Sequence, residues 1–316
     1  MDFITYSIIL DDIVFPDGTT AMAVLGGSGP QTAFGMKLWT ESVGLVGGVG
    51  HDWPPEAQAW LDAMEIDCAG IRHYPEYESL RAWQVTDWDG RRTQVWRTKG
   101  QAIPDQLAFR YEFLPTSYRQ AQALHYGIHP EKPNLQIAHD LRRGNPEMII
   151  AIEPFKDVDA PLAEAEVRAI LTAGQIFSPN VREAEMLVGK GAPIELVQRL
   201  GTLGSEIVTL RMGGEGSLVY RHDTGEAWQI PAVPIKAVDP TGAGNAYGGG
   251  FMVGWVLTGD LKTAGVYASV AASFLVEQVG LPLASLKQCR SEARQRFELL
   301  HAQVSENPIW LPNLQS

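Results

Sequence analysis

The chain has 316 residues, 45% of them apolar, and a formal net charge of −12. This length and apolar content suffice for one large core with a small appendage, and so acidic a chain does not attract nucleic acid or an anionic membrane by its overall field. Its two cysteines, Cys68 and Cys289, lie far apart and form no metal-binding spacing. That pattern favours reduced thiols in a cytoplasmic protein.

The first apolar run, FITYSIIL from residue 3 to 10, predicts one buried strand. No basic residue precedes it and acidic residues follow, so we do not interpret it as a signal peptide. The chain contains no run of 18 apolar residues, and no membrane span is expected.

Strand and helix patterns then alternate along the chain. Strands are predicted over residues 42–50, 147–153, 174–179 and 206–212. Helices are predicted over residues 29–39, 55–65, 159–173, 182–189 and 193–204. Alternating units of this kind indicate an α/β fold with a mainly parallel sheet and helices on both faces.

One segment breaks this alternation. Residues 79–98, SLRAWQVTDWDGRRTQVWRT, alternate with period two around Asp89-Gly90, which is a strong hairpin-turn signal. The segment predicts either a plain edge hairpin or a lid over a cleft. Basic residues gather on it at positions 81, 91, 92, 97 and 99. They either keep an exposed sheet soluble or reach an anionic acceptor, and the sequence leaves both open.

The stretch VDPTGAGNAYGGGF, residues 238–251, predicts a phosphate-binding turn. It follows a strand-like run over residues 230–238 and opens a long helix, so backbone N–H groups and the helix dipole point at one concavity. Three further glycines, residues 248–250, each cost about 1 kcal/mol in a helix. Close approach of another backbone or of a nucleotide would offset that cost, and tight helix packing without a ligand is the alternative.

Several motifs in order along the chain resemble the ribokinase-like sugar kinases, also called the PfkB carbohydrate kinases. DPTGAGNAY from Asp239 is similar to the second signature of that family, and LGGSGPQTA from Leu25 is similar to the first. VGLVGGVGHD ends in Asp52 like the family strand with Gly-x-Asp. SPNVREAEML, LRMGGEGSLVY and ASVAASFLVEQVG resemble the Asn-x-x-Glu motif, the nucleotide-side glycine turn and the adenine-side helix.

The resemblance implies a ribokinase-like three-layer αβα sandwich over residues 1–316, with a β lid from about 11–24 and 72–101. It also implies ATP-dependent phosphoryl transfer to a sugar or nucleoside hydroxyl. The implied catalytic anion hole is Gly242, Ala243, Gly244 and Asn245. The implied acceptor residues are Asp11, Gly26, Gly27 and Gln31. The implied nucleotide residues are Asn180, Arg211, Gly213, Gly216, Ser269 and Ala272. Glu183 would act on Mg²⁺ through water, and Asp239 would belong to a monovalent-cation (K⁺) site.

The resemblance breaks at the base. The family's signature ends in an aspartate that takes the acceptor proton, and this chain has Asn245, which cannot accept a proton at neutral pH. General-base catalysis contributes about 10²–10⁴-fold, so its loss weakens a kinase without removing nucleotide binding. Three interpretations stay open: a kinase that is slow or uses a different base, a catalytically inactive nucleotide- or sugar-binding regulatory protein, and a deliberately mutated chain. Gln31, which replaces the family asparagine, favours natural divergence.

Other functions are weaker on this sequence. A dinucleotide oxidoreductase would need an acidic residue after the second strand, where VGLVGGVG ends in glycines. His125 and His129 are four residues apart, but ordinary polar roles suit them better than metal binding. The tryptophans of the hairpin segment, Trp83, Trp88 and Trp96, suggest a homodimer formed through the lid.

Overall fold

The computed structural model describes residues 1–88 and 92–311. The predicted turn at Asp89-Gly90 lies outside the described residues, as do Arg91 and the side chain of Arg92. The strands are Phe3–Tyr6 (β1), Ile9–Val14 (β2), Thr20–Gly26 (β3), Val43–Gly50 (β4), Asp67–Tyr74 (β5), Arg81–Thr86 (β6), Arg92–Trp96 (β7), Ala123–Ile128 (β8), Ile149–Pro154 (β9), Ile176–Phe177 (β10), Ile207–Arg211 (β11), Ser217–Arg221 (β12), Glu226–Ile230 (β13) and Ile309–Trp310 (β14).

The helices connect these strands across both faces of the large sheet. They are Ser28–Lys37 (α1), Pro55–Ala63 (α2), Ala102–Gln106 (α3), Thr116–Arg119 (α4), Gln136–Gly144 (α5), Glu164–Thr172 (α6), Val181–Val188 (α7), Pro193–Thr202 (α8), Ala243–Thr258 (α9), Leu261–Val276 (α10) and Leu286–His301 (α11). Short 3₁₀ turns lie at Tyr111–Phe113 and Gly213–Glu215.

The large sheet has the strand order β14-β13-β12-β11-β10-β9-β8-β1-β4-β5. Its strands from β5 to β11 run parallel, whereas β12, β13 and β14 pair antiparallel at one edge. One face packs on α1, α2, α9, α10 and α11, and the other packs on α4 to α8. The structure therefore has three layers, as predicted, and the carboxyl ends of the parallel strands meet at one edge.

A second, smaller sheet has the order β3-β2-β6-β7. β2 runs parallel to β6, and the two outer pairs are antiparallel. Its strands span residues 9–26 and 81–96, so the expected lid boundary at residue 72 is wrong. Residues 72–74 continue β5 and pair with β4 in the large sheet.

Two predicted strands differ from the structure. FITYSIIL forms the whole of β1 and the start of β2 in separate sheets, because Ser7 has a φ of 87° and turns the chain from one sheet to the other. Only Ile230 of the run over residues 230–238 lies in a strand. Pro231 and Pro234 provide no N–H for pairing, so this segment crosses to α9 in irregular conformation.

The glycines of α9 are explained by close helix packing. A Cβ on Gly249 would collide with the backbone of Thr32 in α1, and one on Gly250 would lie 2.7 Å from the carbonyl oxygen of Tyr267 in α10. The third, Gly248, contacts the His125 side chain. The lost helix propensity is therefore offset by close contact with protein groups, which was the alternative at positions 248–250.

Within residues 1–88 and 92–311, no helix combines the length and the apolar character needed to cross a bilayer.

Candidate active site

The start of α9 lies at the carboxyl edge of the large sheet, where it contacts α1 and the ends of β8 and β9. Gly242 is its N-cap residue with a φ of 82°, a conformation that favours glycine. Ala243 donates its N–H to the Pro240 carbonyl oxygen at 3.2 Å, so this predicted donor is already used. A Cβ on Gly242 would collide with the side-chain amide of Gln31, which places α1 directly against the turn.

The two residues that depart from the family pattern contact each other. Asn245 donates from Nδ2 to Oε1 of Gln31 at 2.6 Å, and Gln31 is only 4% exposed. Both groups are uncharged amides and neither can take up a proton at neutral pH. The position expected to hold a carboxylate base is therefore occupied by a neutral hydrogen-bonded pair.

Arg211, the last residue of β11, lies under the first turn of α9. Its Nη1 is 2.8 Å from Oε1 of Glu153, and its Nη2 is 3.3 Å from Oε2 of Glu183 and 2.9 Å from the Ser178 carbonyl oxygen. A Cβ on Gly244 would collide with the guanidinium group, so this glycine lets the cation reach the helix terminus. The Nε of Arg211 is buried without a hydrogen-bond partner among the described residues.

The charges of this cluster affect one another through a buried environment. Burial raises the pKa of the Glu183 carboxyl to about 7, although the Arg211 guanidinium and the Asn180 N–H oppose that rise. Burial also acts on Glu153, but Arg211 and His125 outweigh it and hold the pKa of that carboxyl below its usual range. The two carboxylates share one guanidinium, and Glu153 has the shorter contact.

Asn180 and Glu183 begin α7 with reciprocal hydrogen bonds. The Asn180 side chain accepts from the Glu183 N–H, and the Glu183 carboxylate accepts from the Asn180 N–H, both at 2.8 Å. This capping box fixes Glu183 in direct contact with Arg211. Asn180 also forms an isolated parallel bridge to Arg211.

Two members of the buried cluster were not predicted from the sequence. Glu153 is the next-to-last residue of β9 and His125 lies on β8, and His125 Nε2 is 3.0 Å from Glu153 Oε2. Both side chains are almost fully buried beneath α9. A charged residue inside the apolar run IIAIEP was the available signal, because buried parallel strands are normally apolar throughout.

A cavity of about 430 Å³ opens beside the charge cluster. Its lining residues are Asn180, Val181, Arg182, Pro193, Arg211, Met212, Gly213 and Glu215. Three of the residues predicted for nucleotide binding, Asn180, Arg211 and Gly213, therefore share one cavity next to the α9 terminus.

The predicted acceptor residues Asp11, Gly26 and Gly27 lie together at the junction of the two sheets. Asp11 is buried in β2, where Oδ1 accepts from Gln84 Nε2 at 2.8 Å and Oδ2 accepts from the Gly27 N–H at 3.4 Å. The Asp11 carboxylate occupies the space in which a side chain at position 26 would lie, so the structure requires glycine there. The neighbouring Asp12 has a different role, since it pairs with Arg97.

Gly216 and Ser269 are not among the residues that line the cavity beside Arg211. They lie against the segment after β13. A Cβ on Gly216 would collide with the Ile230 carbonyl oxygen, and Ser269 donates from Oγ to the Pro231 carbonyl oxygen at 2.7 Å. Ala272 is half-buried on the same helix, α10. Gly216 and Ser269 thus both contact the segment that connects β13 to α9. These contacts give them a structural role that is separate from the predicted binding of a nucleotide.

Asp239 has an environment suited to a cation. It is buried, its Oδ1 accepts from the Thr241 N–H at 2.9 Å, and its Oδ2 has no partner among the described residues. A buried carboxylate oxygen without a partner is costly unless a ligand satisfies it. This geometry fits a monovalent cation.

The residues near Glu183 fit a magnesium ion only when phosphates supply most ligands. Within the described part of the chain, no cluster of three or more histidine, cysteine or acidic side chains could hold a metal ion. Mg²⁺ commonly keeps several waters and binds one or two carboxylates together with substrate phosphates. Glu183 is the carboxylate available for that arrangement.

Asp52 and the basic residues of the small sheet have structural contacts. Asp52 accepts from the Ser79 N–H at 2.6 Å and lies 3.5 Å from Arg81 Nη2. Arg97 contacts Asp12 and lies 4.9 Å above the Trp83 ring. Among the basic residues of this segment whose side chains the structure describes, Arg81 and Arg97 thus have carboxylate partners.

Comparison with known proteins assigns the chain to a family. The sequence profile described as "pfkB family carbohydrate kinase" matches residues 16–288, and the chain belongs to this family. A similar protein is the cytidine kinase of Thermococcus kodakarensis, 28% identical over 255 residues that cover 78% of this chain and 85% of that protein.

Solved structures confirm the ribokinase-like fold. The nucleoside kinase of Methanocaldococcus jannaschii, described as an archaeal member of the ribokinase family, has a TM-score of 0.68 at 22% identity, covering 95% of this chain and 99% of that chain. A putative ribokinase II from E. coli, in complex with ATP and Mg²⁺, has a TM-score of 0.72 at 17% identity, covering 93% and 99%.

Proposed function

We propose that this protein transfers the γ-phosphoryl group of ATP to a hydroxyl of a sugar or nucleoside. The observation that carries the proposal is the convergence of the α9 N-terminus, Arg211 and the cavity lined by Asn180 and Gly213 at the carboxyl edge of the sheet. Helix termini and guanidinium groups both bind phosphate, and ligands gather at this edge in parallel sheets. Membership of the pfkB family supports the same reaction.

In this proposal the triphosphate lies along the cavity and its terminal phosphate meets the first turn of α9 at Gly242–Asn245. Mg²⁺, when bound with the nucleotide, would neutralise phosphate charge, and Glu183 would hold it through water. Arg211 adds a fixed positive charge at the same helix end, which favours the charge that develops on the transferred group. Asp239 would hold K⁺ near the turn.

The acceptor lies against Asp11, Gly26 and Gly27, with the small sheet acting as a lid. Its hydroxyl oxygen forms a bond to the γ-phosphorus, the bond from that phosphorus to the bridging oxygen breaks and releases ADP, and the hydroxyl proton passes to an oxygen of the transferred phosphoryl group or to water. Asn245 can orient the hydroxyl by a hydrogen bond but cannot hold that proton. Turnover is therefore slow, because positioning and charge stabilisation operate without a general base.

The second candidate is a catalytically inactive protein that binds nucleotide or sugar for regulation. The hydrogen bond between Asn245 and Gln31 favours it, because the amide at the base position is already engaged. The two candidates predict the same ATP binding and differ in phosphoryl transfer.

Replacement of Asn245 by Asp separates the candidates. We expect Asn245→Asp to raise ADP formation with its acceptor by about 10²–10⁴-fold, because a restored carboxylate accepts the proton. Gln31 can rotate its amide and donate from Nε2 to the new carboxylate. The assay is ADP release across a panel of sugars and nucleosides, with calorimetric titration of MgATP alongside.

Asn307→Asp is the matched control, since it adds the same charge at an exposed position. ATP binding without a gain on any acceptor would favour the regulatory protein over the kinase. Absence of ATP binding to the unsubstituted protein would reject the kinase and the nucleotide-binding form of the regulatory protein.

A further inference from the structure

Phe155 is an exposed aromatic residue at the carboxyl edge of the large sheet. It follows β9 directly, two residues after Glu153, and 56% of its surface is exposed. Other aromatic residues of this region contact each other and are more covered: Tyr6, which is partly buried, stacks on the buried Phe109, and the buried Tyr126 is tilted against both. Single exposed apolar residues are common on protein surfaces, so exposure alone does not indicate a binding role for Phe155. The residues around it are therefore the relevant observation.

The surroundings of Phe155 connect it to the proposed acceptor residues. A Cβ on Gly127, near the end of β8, would lie 3.6 Å from Cδ1 of Phe155 and 3.4 Å from Oγ of Ser28. Ser28 follows Gly27, whose N–H contacts Asp11 at 3.4 Å. A side chain at position 127 would therefore contact both the Phe155 ring and Ser28 at the start of α1, and glycine leaves that space open.

The Phe155 ring is also fixed from one side. The His129 ring lies 5.9 Å from it, measured between centroids, with the ring planes at 89°. The Phe155 N–H donates to the Ile128 carbonyl oxygen at 3.1 Å, which anchors the backbone to the end of β8. The large apolar ring of Phe155 is thus held partly exposed near the start of α1, next to the proposed acceptor residue Gly27.

We propose that Phe155 is a stacking surface for the base of a nucleoside acceptor, an inference that rests on the phosphotransferase function proposed above. A plain sugar offers hydroxyls to Asp11 but no flat apolar face to Phe155. A nucleoside offers both, because its ribose hydroxyls suit a carboxylate and its base stacks on an aromatic ring. Every base has such a face, so this contact selects nucleosides over sugars without choosing among bases.

The test compares nucleosides with ribose, which has the sugar and lacks the base. Dissociation constants for cytidine, adenosine and ribose are measured by calorimetry in the presence of a non-hydrolysable ATP analogue, so that slow turnover does not limit the experiment. We expect Phe155→Ala to weaken nucleoside binding by about 10- to 100-fold and to leave ribose binding within about twofold. Phe155→Tyr should bind nucleosides like the unsubstituted protein, whereas Phe155→Leu should resemble the alanine variant.

Trp310→Ala is the matched control, because it removes a 66% exposed aromatic residue from β14 at the distant edge of the sheet. Equal weakening for ribose and nucleosides would overturn the stacking role, and so would unchanged nucleoside binding in Phe155→Ala. Failure of the unsubstituted protein to bind any nucleoside also overturns it. ATP-analogue binding in that same titration shows whether the phosphotransferase proposal survives.

Discussion

At the scale of single residues, Arg211 is the group on which the site depends most. Its guanidinium is buried between two carboxylates, and a glycine allows it to reach a helix N-terminus. A cation at the positive end of a helix is unfavourable by itself. Glu153 and Glu183 offset that repulsion in the protein, and the phosphates of a nucleotide would offset it further.

Arg211→Met should therefore lower both stability and ATP affinity. Breaking a buried ion pair leaves an unpaired buried charge and costs about 3–5 kcal/mol. We also expect MgATP affinity to fall at least tenfold, because a charge-assisted phosphate contact is lost. Urea unfolding and calorimetry measure the two effects separately.

Arg296→Met is the matched control for this substitution. Arg296 also lies between two carboxylates, Glu277 and Glu292, but these are 32% and 52% exposed, and Arg296 lies on α11. Its substitution should lose less stability than Arg211→Met and keep ATP affinity. If Arg211→Met does not fold, Arg211→Lys keeps the charge without the planar fork and should still bind ATP more weakly. Normal ATP affinity in a folded Arg211 variant would contradict the role.

The sequence predicted individual residues of this site better than their contacts. The turn at Gly242–Asn245, Gln31 and Arg211 were each identified from motifs. Their mutual contacts were not, because a motif carries no distance between segments far apart in the chain. Glu153 was not identified and His125 was given only an ordinary polar role, because each lies inside an apolar run that is typical of a buried strand.

At the scale of elements, the Asp52 carboxylate is one of the groups that join the small sheet to the large one. Asp52 follows β4, and its carboxylate accepts from the Ser79 N–H just before β6. Burial tends to raise the pKa of Asp52, but the hydrogen bonds from Ser79 and the charge of Arg81 lower it overall. The ionised form is therefore the one that stabilises the junction.

The sign of this shift gives a pH-dependent prediction. A carboxyl whose pKa is lower in the folded state stabilises the protein above the unfolded pKa, roughly 4, and that stabilisation disappears as pH falls through the folded pKa. Asp52→Asn should cost about 1 kcal/mol at pH 7, because a charge-assisted hydrogen bond becomes a neutral one.

The measurement is urea unfolding of both proteins at pH 7 and at the lowest pH where both fold. The difference between them should shrink only below roughly pH 4. Asp223→Asn is the control, since Asp223 pairs with Arg221 on the surface and such pairs contribute about 0–1 kcal/mol. If the Asp52→Asn protein is as stable as the parent at pH 7, the Asp52 carboxylate does not stabilise the junction between the two sheets.

Element boundaries show where sequence patterns stop being informative. FITYSIIL was predicted as a single strand because no residue in it signals a break. The break occurs at Ser7, which adopts a positive φ because β1 and β2 belong to different sheets, and the sequence does not show this. The strand predicted over residues 230–238 is absent because two prolines lack the backbone N–H groups that strand pairing needs, and the sequence already shows these prolines. Helix α6 begins at Glu164 rather than at 159, because Glu166 accepts from the Ala163 N–H and caps the helix there.

At the scale of the whole molecule, the small sheet leaves apolar surface exposed. Trp88 is 83% exposed after β6, and Met22 on β3 and Val95 on β7 are about half exposed. The other two tryptophans of this segment, Trp83 and Trp96, are partly covered within the sheet. Trp88 is therefore the residue most able to enter a neighbouring surface.

We expect two copies to associate through this sheet. Tryptophan is enriched among the residues that dominate interfaces, and both outer strands of the small sheet, β3 and β7, have an unpaired edge among the described residues. Trp88→Glu should convert a concentration-dependent dimer to monomer, because a buried carboxylate without a partner opposes association. Sedimentation velocity over a range of protein concentrations measures the change.

Leu299→Glu provides the comparison, since Leu299 is 68% exposed on α11 and lies outside the small sheet. It should leave the dimer intact. A parent protein that stays monomeric at all concentrations would rule out association through the lid, and equal dissociation by both variants would place the interface elsewhere. Because the acceptor residue Asp11 belongs to the same small sheet, dissociation by Trp88→Glu alone should also alter acceptor affinity more than ATP affinity.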